Sequence, residues 1–129
     1  METRDAAHRW VDAWRRGWRA LDPEPVVAAY ADDCFYLSHP FRGPETPRAY
    51  IEWAFAEEEW AEPWFGDPLV DGDRAAVEWH AYVRENGRDV TIAGTSLLRF
   101  GDDGLCVEQR DAWGVHDGRV ERAASPLGT

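Results

Sequence analysis

A chain of 129 residues, 44% hydrophobic and 30% charged, is long enough for one globular domain with one sizeable core. Twenty-five acidic residues against fourteen basic ones leave a formal charge of −11, and residues 49–73 carry no basic side chain. That balance opposes phosphate backbones and anionic membranes, so neither nucleic acid nor membrane is expected as a partner. No apolar run reaches the ~18 residues of a membrane span. The opening METRDAAHRW has no apolar signal-peptide core, so a cytoplasmic location is expected.

Residues 3–21 read as a helix: Ala7, Trp10, Trp14, Trp18 and Leu21 recur at three- and four-residue spacing, and the arginines fall largely on the other side. Asp22, Pro23 and Glu24 signal a second, short helix that carries Val26, Val27 and Tyr30 inward and ends near Asp32-Asp33. A strand over 35–38 follows, then a sharp turn at His39-Pro40 and a loop over 40–44. Thr46-Pro47 starts a third helix that runs to about Trp60, with Glu57, Glu58 and Glu59 as its solvated acidic end.

After Pro63 the hydrophobic period changes from near 3.6 to near 2. A weak strand over 65–70, broken by Pro68, belongs at an edge. Strands over 74–84, 88–100 and 105–115 are separated by Asn86-Gly87, a strong hairpin signal, and by the turn GDDG. The last residues, ERAASPLGT, read as a loose tail. Helices first and then hairpin-linked strands indicate an α+β single domain, with helices on one face of a curved antiparallel sheet.

Alternation sorts the strand side chains. Ala75, Val77, Trp79, Ala81 and Val83 form the inward set of one strand; Val107, Gln109, Asp111 and Trp113 form that of the last, opposite Glu108, Arg110 and Ala112. A carboxylate at Asp111 therefore faces the interior, where it costs several kcal/mol unless it is paired, hydrogen-bonded or protonated. Such a group is either an acid/base for catalysis or the buried partner of an arginine or indole N–H. His39 is either a general base with a pKa near neutrality or a loop histidine bonded to backbone. Eight tryptophans exceed what a small core needs and point to an aromatic-lined pocket for an apolar small molecule. Its expected lining is Trp14, Trp18, Tyr30, Tyr36, Tyr50, Trp53, Trp79, Ser96 and Trp113. Arg42 is either a ligand contact or a solvated loop arginine. The histidines lack metal-ligand spacing and no glycine-rich phosphate loop is present, so no metal or cofactor is expected. Cys34 and Cys106 read as buried thiols.

The tryptophan-bearing helix, YADDCFYLSHPFRG, RAYIEWAFAEE, FGDPLVDGDRAAVEW, IAGTSLLRF and VEQRDAW together resemble the SnoaL-like branch of the nuclear-transport-factor-2-like superfamily, over about residues 5–115. The resemblance implies a cone in which a bent sheet wraps helices around a deep pocket. It spans ketosteroid isomerases, polyketide cyclases, epoxide hydrolases, dehydratases and non-enzymatic binding or dimerisation modules. Within it, Asp111 resembles the last-strand acid/base of the cyclases, and His39-Pro40 resembles the Asp-Pro of the isomerase base. Ser96 falls near the isomerases' protonated aspartate, and the change to serine argues against a steroid isomerase proper. The expected function is cofactor-independent acid–base chemistry on an apolar, carbonyl-bearing or polycyclic molecule: isomerisation, cyclisation or dehydration by Asp111 and His39, with Tyr36, Tyr50 or an indole N–H steadying the oxyanion. The alternative is a binding or dimerisation module of the same fold. A homodimer through the outer sheet face, near His80 and Tyr82, is expected.

Overall fold

Trp10, Trp14 and Trp18, four residues apart, share one side of the first helix and decide where the core lies. In the computed structural model, which describes residues 1–128, this helix is α1 (Thr3–Ala20), and all three indoles are buried. It ends where Leu21 turns left-handed, φ 52°, and the amides of Leu21 and Asp22 donate to the carbonyls of Trp18 and Gly17. Asp22 caps α2 (Pro23–Val27) by accepting from the Glu24 amide at 3.1 Å.

The chain is already extended at β1 (Tyr30–Leu37). Asp32 and Asp33, predicted to close a helix, are exposed positions of this strand, and its register shifts between Tyr30 and Phe35. Thr46 caps α3 (Pro47–Ala56), accepting from the Ala49 amide at 3.1 Å. This helix stops well short of Trp60. The acidic run predicted as its solvated end instead opens β2 (Glu58–Phe65), and β3 (Leu69–Asp71) follows. The hairpin strands are β4 (Arg74–Glu85), β5 (Arg88–Phe100) and β6 (Cys106–Asp117). Asn86 and Gly87, with φ of 51° and 76°, make the tight turn their sequence signals.

The sheet order is β1-β6-β5-β4-β2, with β3 also on β4. Every pairing is antiparallel but one: β1 runs parallel to β6. Hairpin signals specify sequence neighbours only. The first strand has no hairpin partner, and it closes against the last one after the rest of the chain has crossed over. The sheet is curved and unclosed, and the helices cover its inner face in the α+β cone arrangement. Tryptophan and phenylalanine rings from α1, α3, β2 and β4 meet there edge to face, with centroids 5.8–6.4 Å apart for Trp14–Trp18, Trp14–Phe55, Trp18–Trp79 and Trp18–Phe65. Each such pair contributes roughly 0.5–1.5 kcal/mol beyond the area it buries. Cys34 and Cys106 are buried free thiols.

Residues 118–122 are anchored on the outer sheet face; of the segment expected to be loose, which starts at Glu121, Arg122 takes part. Thr91 Oγ1 donates to the Gly118 carbonyl at 2.8 Å and accepts from the Val120 amide at 2.9 Å. His80 Nε2 lies 2.8 Å from the Val120 carbonyl. Arg119 pairs with Glu62 and stacks on Tyr82, and Arg122 pairs with Glu78 and stacks on Trp64. The part of the outer face expected to meet a second copy, around His80 and Tyr82, is thus covered by the chain's own tail. No helix among the described residues is long and apolar enough to cross a membrane.

Candidate functional site

A cavity opens between α1, α3 and the inner face of the sheet, with about 70 Å³ of free space. Helix α1 contributes Trp10, Trp14 and Trp18, strand β1 Tyr36, and helix α3 Tyr50, Ala54 and Phe55. The strands β2, β4 and β5 add Glu58, Phe65, Trp79, Ile92 and Ser96, and β6 adds Gln109, Asp111 and Trp113. A space of this size suits a compact ligand of a few heavy atoms, since pockets for drug-sized molecules run to roughly 300–1,000 Å³. It does not suit a polycycle.

Asp111 stands at one wall of the cavity, only 7% exposed. Alternation along β6 puts it there, and the register sets it opposite Ser96 of β5. Its Oδ1 accepts from Ser96 Oγ at 2.7 Å and from Gln109 Nε2 at 3.1 Å, while Oδ2 receives only the second, 3.2 Å arm of the same amide. Ser96 Oγ accepts in turn from Trp79 Nε1 at 3.0 Å. The Gln109 amide is held in one orientation. Its oxygen accepts from Trp10 Nε1 and from the Tyr30 hydroxyl, so its nitrogen must face Asp111. Trp14 Nε1 donates to the Tyr30 oxygen at 2.8 Å. Burial drives the Asp111 carboxyl up to about 7 despite the hydrogen bonds from Ser96 and Gln109, which favour its ionised form.

Glu58 supplies a second carboxyl. Trp18 Nε1 donates to its Oε1 at 2.7 Å, and its Oε2 has no hydrogen-bond partner among the described residues. Burial, aided by the negative charge of Glu85 across the strand pair, drives it up to about 7 as well, against the Trp18 hydrogen bond. Among the described residues, neither Glu58 nor Asp111 forms an ion pair, and no lysine, arginine or histidine lines the cavity.

The tyrosines are the hydroxyl donors. Tyr36 accepts from Gln109 Nε2 at 3.4 Å, but no described residue accepts from its hydroxyl, and the Tyr50 hydroxyl has no hydrogen-bond partner among the described residues. Burial raises the pKa of both phenols, which keeps them protonated and able to donate.

Of the residues predicted for the site, Asp111, Trp14, Trp18, Tyr36, Tyr50, Trp79, Ser96 and Trp113 line the cavity together. Three predicted residues do not. Tyr30 is buried behind the lining and touches it through Gln109 and the indoles. Trp53 faces outward, 53% exposed, under the Arg42 guanidinium at 4.9 Å. His39 lies outside the lining, its ring packed on Trp113 with centroids 4.9 Å apart and its Nδ1 accepting from the Phe41 amide at 3.2 Å. The proline after it holds a turn that takes the imidazole away from the cavity. Arg42 is committed to Glu45 at 3.2 Å and to the rings of Tyr50 and Trp53.

Sequence reasoning missed Trp10, Ala54, Phe55, Glu58, Phe65, Ile92 and Gln109. Trp10 and Gln109 sit on faces that periodicity already turns inward, so the signal for them was present. Glu58 carried no such signal. Extending the buried alternation of Ala61, Pro63 and Phe65 backward along β2 reaches Glu59, and the bulge between Glu58 and Trp60 turns Glu58 inward in its place. Among the described residues, no three His, Cys, Asp or Glu side chains are grouped to hold a metal ion.

Residues 7–109 match the family model described as a SnoaL-like domain. No curated protein matches the chain in sequence. Solved structures share the fold at low identity. RV0760c from Mycobacterium tuberculosis superposes with a TM-score of 0.75 at 17% identity, over 92% of this chain and 100% of that one. SalBIII, described as an epoxide hydrolase/cyclase-like enzyme of pyran ring formation in the polyether salinomycin, gives 0.74 at 17%, over 88% and 98%. An NTF2-like protein of unknown function from Exiguobacterium gives 0.69 at 13%, over 84% and 98%.

Proposed function

The chain belongs to the SnoaL-like family, and from that premise we propose that it is a cofactor-independent acid–base enzyme acting on a small carbonyl compound. The observation that carries this reading is Asp111. It is a buried carboxyl in an aromatic cavity, without a basic partner, held by Ser96 and Gln109 through one oxygen more than the other. Its Oδ2 removes a proton from the carbon next to the carbonyl. The C–H electron pair moves into an enolate, whose oxygen accepts from the Tyr36 and Tyr50 hydroxyls. The same carboxyl returns the proton to carbon, giving isomerisation or exchange; an enolate that instead attacks a second carbonyl of the same molecule, or expels a β-hydroxyl, leaves the Asp111 proton to the new alkoxide or to the departing hydroxide, giving cyclisation or dehydration. A carboxyl with a pKa near 7 suits this work, being ionised enough to accept and basic enough to compete for a carbon-bound proton.

The test needs no knowledge of the natural substrate. Small ketones and amino- or hydroxy-ketones are incubated in D2O with the protein, and deuterium entry at the α-carbon is followed by NMR. Wild type is expected to accelerate exchange for at least one compound, with a rate rising from acid pH to a plateau above about 7. Asp111→Asn should lower that rate by at least 100-fold. Exchange that survives in Asp111→Asn, or no acceleration for any compound, would overturn the reading. A second reading, a ligand-binding module without chemistry, draws support from the tight ring packing that leaves only about 70 Å³. It predicts binding without exchange.

A further inference from the structure

Glu58 has no role in the proton transfer just described, and its setting is unusual. A carboxyl lines an aromatic cavity, one oxygen accepts from Trp18 and the other accepts nothing. Glu58 is half-buried, and an ionised carboxyl there without a counter-charge costs free energy that protonation, water or a cationic ligand must offset. The described residues supply no cationic partner. Two basic groups touch lining rings from outside: Arg42 lies over the rings of Tyr50 and Trp53 and is paired with Glu45, and His39 packs on Trp113 with its Nδ1 taken by the Phe41 amide. The groups that act on Glu58 are Glu85 from β4 and the Trp18 N–H from α1, with Tyr50 of α3 also within its field. Those around Asp111 are Tyr30 and Tyr36 of β1, Tyr50 of α3, Ser96 of β5, and Gln109 of its own strand. None is cationic.

Most of the remaining wall is aromatic. Ring faces carry negative potential, so indole and phenol rings favour a cation over an anion. We propose that the cavity is a site for a small protonated amine, its ammonium group seated on the free Oε2 of Glu58 and its carbons against the surrounding rings. An ammonium group supplies the missing counter-charge and the donors that Oε2 lacks. A neutral alcohol supplies a donor but no charge, and a carboxylate brings a third negative group into a space that already holds two. The free volume sets the size: about 70 Å³ admits a short alkylammonium and excludes a bulky one. This inference rests on the cavity being the ligand site and deepens the reading above. The substrate would be a small carbonyl compound that also bears an amine, oriented by Glu58 so that its acidic carbon meets Asp111.

Binding can be tested apart from turnover. The protein is titrated at pH 8 with isopropylammonium, propan-2-ol and isobutyrate, and the indole N–H resonances of Trp18 and Trp79 are followed by NMR. The amine should bind roughly tenfold or more tightly than the alcohol, with isobutyrate weaker still. It should also move the Trp18 resonance, because the acceptor of that N–H gains a new partner. Since only ionised Glu58 holds the ammonium, affinity should fall by about tenfold for each pH unit below about 7. Glu58→Gln keeps the shape and should bring the amine down to the affinity of the alcohol, while Glu57→Gln, at an exposed position outside the lining, should retain the preference for the amine. Equal binding of amine and alcohol, a preference that survives Glu58→Gln, or no binding of the amine would each overturn the proposal. Loss of the amine preference alongside Asp111-dependent exchange would remove this inference and leave the catalytic reading standing. Amine binding without exchange would do the reverse.

Discussion

At the scale of single residues, the two cavity carboxyls tie stability to pH in an uncommon direction. Both are raised by burial, from 3.8 to about 7 for Asp111 and from 4.5 to about 7 for Glu58. A group with a raised folded pKa holds its proton in the folded chain after the unfolded chain has lost it. Its stabilising contribution is therefore complete below the unfolded value, shrinks as pH rises, and is gone above about 7. For Asp111 the change across that window is of order 4 kcal/mol, and for Glu58 it is smaller because water partly screens it. The surface carboxylates Glu24, Glu78 and Asp117 are lowered by their arginines and act in the opposite sense, but they are common to the wild type and to any variant at the cavity. The difference between Asp111→Asn and wild type isolates the effect. In urea titrations the variant should gain on the wild type steadily from pH 4 to pH 7 and hold a constant advantage above it. A difference that does not vary with pH would mean that Asp111 is not desolvated as its surroundings imply.

At the scale of elements, the position of Asp111 depends on how closely β5 and β6 approach. Gly94 sits opposite Trp113 in the register, and a methyl group there would fall 2.2 Å from the Ala112 carbonyl and 2.5 Å from Trp113 Cβ. Gly94→Ala must push the strands apart or displace Trp113, which walls the cavity and donates to the Ser38 carbonyl. It should cost about 1–3 kcal/mol in urea unfolding and perturb ligand binding. Gly114, on β6, has open space around its added methyl, so Gly114→Ala should be close to neutral; equal effects for the two would refute the close-approach argument. The same strands show what could be read in advance. Period-2 alternation places Trp79, Gln109, Asp111 and Trp113 on the inner face, because one wet and one dry face leave a strand only one workable register, while Ser96 entered the site through family likeness. Alternation fails where the ladder breaks. The bulge in β2 hid Glu58, and the run of three glutamates carried no hydrophobic period to mark where α3 stops. His39 was drawn into the site by its proline and by family likeness. Neither specifies which way a turn aims its side chain.

At the scale of the whole molecule, the pairing of β1 with β6 and the path of the tail were both beyond sequence reasoning, since each depends on contacts between distant segments with no local signal. The tail has a measurable consequence. Its anchors are two exposed arginine–carboxylate pairs, two cation–ring contacts and the paired hydrogen bonds of Thr91. Exposed ion pairs contribute about 0.2–1 kcal/mol each and exposed cation–ring contacts about 0.5–1, so the strap stabilises the fold by roughly 2–3 kcal/mol. Thr91 is 3% exposed with the tail in place, and removing the tail returns its hydroxyl to water rather than leaving it buried and unpaired. Truncation after Gly118 should therefore lower Tm by about 5–10 °C without unfolding the domain, and it should uncover the rings of Trp64 and Tyr82. Most of the strap is electrostatic, so part of the loss should also appear in the full chain as salt is raised. A truncated chain with an unchanged Tm would show that the tail only rests on the sheet. A truncated chain that fails to fold would show that the strap carries more of the stability than these contacts supply.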